Sequence, residues 1–131
     1  MFLTKECDYA IRVVRDLADL DVKPVKMICL NEHIHTPFAY KILKKLEKAG
    51  IVSAHRGAKG GYRLAKTPDS VTLFDVVHAI DEYLFINACL EEGHKCPRNN
   101  DDDACKVHQE LIKLQSFLID ALMDTRVSTV V

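Results

Sequence analysis

The stretch from residue 36 to residue 65 constrains the fold more than any other part of the chain. Thr36 is predicted to cap a helix that has Pro37 at its favoured first position and ends at Gly50. At about 3.6 residues per turn, four lysines share one face of this helix and apolar residues take the opposite face; the lysines are Lys41, Lys44, Lys45 and Lys48. A short strand from residue 51, a glycine-rich turn over residues 56–61 and a returning strand from residue 62 follow directly. The pattern predicts a basic amphipathic helix joined to a β-hairpin.

Two further helices are predicted before this unit. Residues 4–20 carry apolar side chains at helical spacing, with Thr4 as the N-cap, and residues 25–32 form a short second helix. A turn over residues 33–35 separates that short helix from the basic helix. Helix, short helix, turn, basic helix and hairpin is the order of a winged helix-turn-helix. We therefore predict a mainly α fold with a small β-hairpin as its wing.

The rest of the chain is predicted to form two helices separated by a cysteine-containing loop. The first runs from Thr72 to about Phe85, and the last from about residue 105 to residue 124. Apolar residues of the long last helix recur at steps of four and three, which favours packing against a partner helix; they are Val107, Leu111, Leu114, Leu118 and Ala121. We predict one compact domain overall, in which residues 67–131 hold a sensor loop and dimerisation helices.

The charge of the chain is divided between its halves. Residues 1–66 contain 13 Lys and Arg against 7 Asp and Glu, whereas residues 67–131 contain 5 against 12. A basic half suits a polyanion, so residues 1–66 are predicted to be a region that binds double-stranded DNA. The alternative is a solvated lysine face beside an ordinary hairpin. The predicted base contacts are Thr36, Tyr40 and Lys41, and the predicted phosphate and wing contacts are Lys44, Lys45, Lys48, Arg56, Lys59 and Arg63.

Three cysteines and a histidine lie within twenty residues of the acidic half, namely Cys89, Cys96, Cys105 and His108. Thiolates and imidazole are ligands of soft metals and of iron–sulfur clusters. These cysteines lie in a polar loop that provides no hydrophobic core for them to join. The spacing between them is not the paired Cys-x-x-Cys of structural zinc sites. The spacing alone leaves zinc, a cluster and free thiols open. We predict a structural role for Cys29, because cysteine also serves as a small core residue. Cys7 is predicted to be inert, because the neighbouring carboxylates of Glu6 and Asp8 oppose thiolate formation.

Composition limits the class of protein. Apolar residues make up 48% of the chain and charged residues 28%, which is typical of a globular protein. We expect a cytoplasmic protein without a membrane segment, because no apolar run approaches membrane-spanning length and the N-terminus carries charges where a signal peptide is apolar. Since there is no phosphate loop, nucleotide fingerprint or nucleophile–base set, we predict that the chain is not an enzyme.

Four stretches of the chain are similar to those of the Rrf-type family of bacterial winged-helix transcription regulators. Within residues 3–12, Leu3-Thr4 and Asp8-Tyr9-Ala10-Ile11-Arg12 carry the resemblance. The other stretches are Leu46-Glu47-Lys48-Ala49-Gly50-Ile51-Val52, Arg56-Gly57-Ala58-Lys59-Gly60-Gly61-Tyr62-Arg63-Leu64 and Thr72-Leu73-Phe74-Asp75-Val76. The Arg-Gly-x-x-Gly-Gly-Tyr wing is the most specific of them. The family includes the iron–sulfur-assembly regulator and the nitric-oxide-sensitive repressor.

The resemblance implies a homodimer, paired through the long C-terminal helix, that binds a pseudo-palindromic operator. It also implies an iron–sulfur cluster, of the 2Fe-2S or 4Fe-4S type, on Cys89, Cys96 and Cys105. The fourth ligand is either His108, as in the iron–sulfur-assembly regulator, or Asp8, at the position from which the nitric-oxide-sensitive repressor offers a carboxylate across the dimer. We favour His108. The intervals between the cysteines are less even than in the best-known members, which leaves the cluster type open.

The function expected from these observations is a transcription regulator that senses redox state, iron–sulfur status or nitric oxide through the cluster. Members include a repressor, but the sequence does not fix whether this chain represses or activates. The alternative is a regulator of the same fold without a cluster, controlled by thiol oxidation, zinc or a protein partner.

Overall fold

The computed structural model describes residues 3–131, and its helices and strands follow the order predicted for a winged helix. Helices α1, α2 and α3 precede a two-stranded antiparallel hairpin, and helices α4 and α5 follow it. Their bounds are α1 Lys5–Asp16, α2 Val25–Glu32, α3 Thr36–Lys48, β1 Val52–His55, β2 Gly61–Leu64, α4 Leu73–Ile80 and α5 Lys106–Asp124. Short 3-10 turns lie at Pro68–Ser70, Ala88–Leu90 and Val127–Val130. The predicted mainly α fold with a hairpin wing and a long C-terminal helix is confirmed.

The hydrophobic core lies between α1, α2, α3 and α4. It is formed by the apolar faces that the helical spacing predicted, with Leu17, Ile28, Leu46 and Val77 among its fully buried side chains. Cys7 is fully buried in the first turn of α1, where Thr4 caps the helix by accepting a hydrogen bond from the Cys7 amide over 3.3 Å. Packing at this density explains why a small residue stands at the start of α1.

Two helices end earlier than their apolar spacing predicted, and one begins earlier. Helix α1 ends at Asp16 instead of Leu20, which adopts a left-handed φ of 67°. Helix α4 ends at Ile80 because Asp81 turns into extended backbone, so the apolar residues up to Leu84 reach the core from a non-helical segment. Thr36 is the first residue of α3 and not its N-cap. The N-cap is His35, whose side chain makes no capping hydrogen bond. Helical spacing identifies which residues are buried, but an irregular segment can bury the same residues.

The wing is anchored to the helices through a close backbone approach. The amide of Tyr62 donates to the carbonyl of Lys23, and the amide of Lys23 donates to the carbonyl of Tyr62, each over 2.9 Å. A Cβ atom on Gly61, whose φ is +150°, would lie 2.0 Å from the Lys23 carbonyl oxygen. The absence of a side chain at Gly61 therefore lets the wing contact the segment between α1 and α2.

The C-terminal helix is tied to the domain at its C-terminal end. The chain after α5 pairs with the start of α4, since the Leu73 amide donates to Thr125 over 2.8 Å and the Val127 amide donates to Val71 over 2.9 Å. Val127 is buried in the same core as α1 and α4. Helix α5 itself has no fully buried residue. Within residues 3–131, no helix is both long and apolar enough to cross a bilayer.

Candidate nucleic-acid interface and cysteine cavity

The two faces of α3 divide as the sequence predicted. Ala39, Ile42, Leu43 and Leu46 are fully buried against the core. The residues predicted to contact DNA are exposed on the outer face, except that Lys45 is half-buried; the exposed ones are Thr36, Tyr40, Lys41, Lys44 and Lys48. An exposed basic helix beside a hairpin gives the surface a shape and charge that fit a major groove.

Two of the four lysines on α3 bind a carboxylate of the same chain. Lys41 contacts Glu6 of α1 at 2.5 Å, and Lys45 contacts the other oxygen of Glu6 at 3.0 Å. Lys45 also donates to the carbonyl of Ile80, the last residue of α4, over 3.3 Å. Hydrogen bonds from Lys41 and Lys45 lower the pKa of the Glu6 carboxyl. Sequence reasoning missed Glu6 because it lies 35 residues before Lys41, and no local pattern reports such a contact.

The wing and α3 enclose an open groove. It has a volume of about 430 Å³ and is lined in part by Tyr40 of α3 and by Arg56 and Tyr62 of the wing. Burial raises the pKa of the Tyr62 hydroxyl, with smaller contributions from Glu47 and Tyr40. Of the other wing cations, Lys59 is exposed at the tip and Arg63 is half-buried on β2. The sequence predicted Tyr40 at this surface and did not single out Tyr62.

The three loop cysteines and His108 line one cavity of about 180 Å³. Cys89 lies in the 3-10 turn Ala88–Leu90, and Cys105 is the N-cap of α5. Asn99 connects Cys96 to Cys105. Its amide donates to the Cys96 carbonyl over 3.0 Å, and its side-chain oxygen accepts from the Cys105 amide over 2.9 Å. The loop therefore folds so that residues nineteen positions apart face the same space.

The cavity contains an unsatisfied polar atom that fits a ligand role. The Nδ1 atom of His108 is buried and has no hydrogen-bond partner within the part of the chain described. Buried nitrogens are normally hydrogen-bonded or bound to a metal, so this one fits a coordinating imidazole. Across residues 3–131, no three His, Cys, Asp or Glu side chains converge closely enough to hold a single metal ion.

The second candidate for the fourth ligand lies elsewhere in the subunit. Asp8 is exposed on α1 and forms an ion pair with Arg12 at 3.1 Å, which raises the pKa of Arg12. It does not belong to the lining of the cysteine cavity. An Asp8 ligand would therefore have to come from another subunit, as the resemblance implied.

The outer face of α5 presents apolar side chains to solvent. Val107 is 67% exposed, Leu114 56%, Phe117 74% and Leu118 41%. Leu111, which the sequence grouped with them, is half-buried and lines the cysteine cavity instead. Large apolar residues in such a stripe mark an interaction surface.

Comparison with known proteins identifies the family. Residues 3–131 match the sequence model of the Rrf2 family, which is described as an iron-dependent transcriptional regulator. The chain belongs to the Rrf2 family. A protein of Synechocystis sp. described as an HTH-type transcriptional regulator is 39% identical to this chain. The match covers 64% of this chain and 59% of that relative's length.

Solved structures of two other regulators share the fold of this Rrf2 protein. CymR, the global cysteine regulator of B. subtilis, is 20% identical, with a TM-score of 0.75 over 95% of this chain and 92% of CymR. IscR of T. potens is 21% identical, with a TM-score of 0.73 over 95% of this chain and 82% of IscR. Membership of this family makes the chain a DNA-binding transcription regulator and not an enzyme, as the sequence predicted.

Proposed function

We propose that this Rrf2-family protein is a homodimeric regulator whose affinity for operator DNA is controlled by an iron–sulfur cluster in the cysteine cavity. The observation that carries this proposal is the cavity itself, which is lined by three thiols from separate parts of the loop and by His108, whose buried Nδ1 has no hydrogen-bond partner among residues 3–131. The description of the family as iron-dependent supports it.

The proposed DNA contacts are those of the exposed face of α3 and of the wing. Thr36, Tyr40 and Lys41 lie in the first half of α3, where base contacts usually arise. Thr36 and Tyr40 would meet base edges, and Lys41 would meet a base edge or the phosphate beside it. The proposed phosphate contacts are Lys44, Lys45, Lys48, Arg56, Lys59 and Arg63. If each subunit neutralises about four phosphates, the logarithm of affinity should fall against the logarithm of salt concentration with a slope of about −7.

The proposed dimer forms through α5. Its exposed apolar stripe is the surface that a second copy would cover, because a two-fold dimer packs the same stripe of both subunits together. The two α3 helices of the dimer would then face successive half-sites of a pseudo-palindromic operator. A regulator of transcription acts where the chromosome is, so we propose a cytoplasmic location.

Cys89, Cys96 and Cys105 would hold the cluster through their thiolates, and His108 would supply the fourth ligand. Such a group supplies reversible one-electron chemistry and reacts with small oxidants. His108 is preferred over Asp8 because it lines the same cavity as the three cysteines. The cavity lies between the segment after α4 and the start of α5, so ordering of the loop can alter how α5 holds the two DNA-binding units. Coupling in such switches is typically about 5–150-fold.

Anaerobic purification tests the cluster. Brown protein that contains iron and sulfide supports it, and replacement of Cys89, Cys96 and Cys105 by Ala should remove the colour and the regulated change in DNA affinity. Cys29→Ala is the matched control, since Cys29 is half-buried on α2, outside the cavity. Retention of colour and regulated binding in the triple variant would exclude the cluster.

The fourth ligand is tested separately. His108→Ala should shift or bleach the visible bands, whereas Asp8→Ala should leave them unchanged. The reverse result would transfer the role to Asp8 and require a ligand shared across the dimer.

A second candidate is the same regulator without a cluster, controlled by thiol oxidation, zinc or a protein partner. Two observations favour it: the fold likeness to the global cysteine regulator of B. subtilis, and cysteines that do not converge on one point among residues 3–131. Colourless anaerobic protein that binds operator DNA supports this candidate. The zinc content of this protein and its response to oxidants then show whether zinc, thiol oxidation or a protein partner controls it.

A further inference from the structure

The first turn of α1 places a carboxylate against the basic face of α3. One oxygen of Glu6 contacts Lys41 at 2.5 Å and the other contacts Lys45 at 3.0 Å. The Glu6 side chain is 25% exposed, so water reaches this ion-pair network. For Lys44 and Lys48, no side-chain hydrogen bond or ion pair occurs among residues 3–131. The carboxylate therefore neutralises one side of the basic face, with Lys41 and Lys45, and leaves the other side, with Lys44 and Lys48, available to an anion.

The two lysines held by Glu6 differ in how readily they can leave it. Lys45 is 35% exposed and also donates to the carbonyl of Ile80, so it has a second partner besides Glu6. Lys41 is 58% exposed, and Glu6 is its one partner in the described part of the chain. An ion pair this accessible to solvent contributes little stability, so rotation of Lys41 towards another anion has a low cost.

We propose that Glu6 is an internal competitor for DNA, which holds Lys41 through the same kind of contact that a DNA phosphate would make. A carboxylate and a phosphate oxygen are alternative acceptors for one ammonium group. While Glu6 holds Lys41, that lysine releases no counterion when α3 meets DNA, and the carboxylate also repels the nearest phosphate. Glu6 thus lowers the basal affinity and keeps the complex dissociable. The inference rests on the proposed placement of α3 on DNA.

Glu6→Gln tests the competition, because it removes the charge and keeps the shape of the side chain. We expect operator binding about fivefold tighter per dimer at moderate salt, from one weak ion pair released in each subunit. The salt slope should become steeper by about two, since each Lys41 gains a phosphate contact. A purely structural role for Glu6 would lower the melting temperature and leave the slope unchanged.

Asp69→Asn is the matched control. Asp69 is exposed in the 3-10 turn Pro68–Ser70, which packs against Val127–Val130, so the change in net charge is the same at a position outside α3, the wing and the apolar stripe of α5. It should leave affinity and slope unaltered; an equal gain would mean that net charge, not release of Lys41, explains the effect. Glu6→Asp keeps the charge but shortens the reach, and part of the gain in affinity is expected from it.

Lys41→Ala separates failure of this inference from failure of the proposed function. It should weaken binding in the Glu6→Gln background more than in the wild-type chain, because only there is Lys41 free. If Lys41→Ala, Lys44→Ala and Lys48→Ala weaken the wild-type protein while Glu6→Gln gives equal or weaker binding, the competition is wrong and the interface stands. If none of the lysine variants alters binding, the proposed interface itself is wrong.

Discussion

Truncation of one exposed leucine on α5 should separate the dimer. Leu114 is 56% exposed in the subunit, so about half of its side chain is left for a partner to cover. Full burial of a leucine is worth about 1.5–3 kcal/mol, and half of that is lost in Leu114→Ala, once in each subunit. The two-fold axis doubles the loss to about 1.5–3 kcal/mol per dimer, which raises the dissociation constant about 10- to 150-fold. Alanine favours helix, so α5 itself should persist.

Sedimentation equilibrium over a dilution series measures this dissociation constant. Ile112→Ala is the matched control: Ile112 is 46% exposed on the same helix but faces nearly the opposite direction. We expect the dimer to weaken in Leu114→Ala and to remain intact in Ile112→Ala. Equal weakening in both variants, or no change in either, would refute the assignment of this stripe as the interface. Leu111→Asp is a less direct test, because Leu111 lines the cysteine cavity.

Three further predictions concern the wing, pH and base preference. Gly61→Ala should lower the urea midpoint markedly, since its Cβ would lie 2.0 Å from the Lys23 carbonyl oxygen; an unaltered midpoint would contradict the close packing of the wing. Because hydrogen bonds from Lys41 and Lys45 lower the folded pKa of Glu6, the stability that its charge contributes is present above the ordinary pKa of 4.5 and is lost as the pH falls from there through the lowered folded pKa. Wild type and Glu6→Gln should therefore converge in unfolding measurements in acid; a constant difference would argue against the ion pair. Tyr40→Ala should relax base preference across operator variants, whereas Lys44→Ala should weaken all of them alike; selective binding retained without Tyr40 would move base reading elsewhere.

Several features of this protein follow from short stretches of its sequence. Thr4 caps α1, and Gly50 adopts a φ of 74° after α3, because caps and left-handed turns depend on residues within a few positions. The division of α3 into an apolar and a basic face follows from helical periodicity alone. The hairpin and its order after α3 follow in the same way, and together they were enough to predict a winged helix.

Tertiary contacts decided what periodicity leaves open. Spacing marks Leu84 as buried but does not tell whether a helix or an extended segment brings it to the core, and the early end of α4 at Ile80 depends on packing. Gly61 allows a backbone contact with Lys23, which lies 38 positions earlier in the chain. Glu6 reaches the lysines of α3 across a similar gap. Local rules act over one or two helical turns, whereas these contacts join segments that only the folded core brings together, so the sequence predicted the elements and the tertiary structure determined their partners.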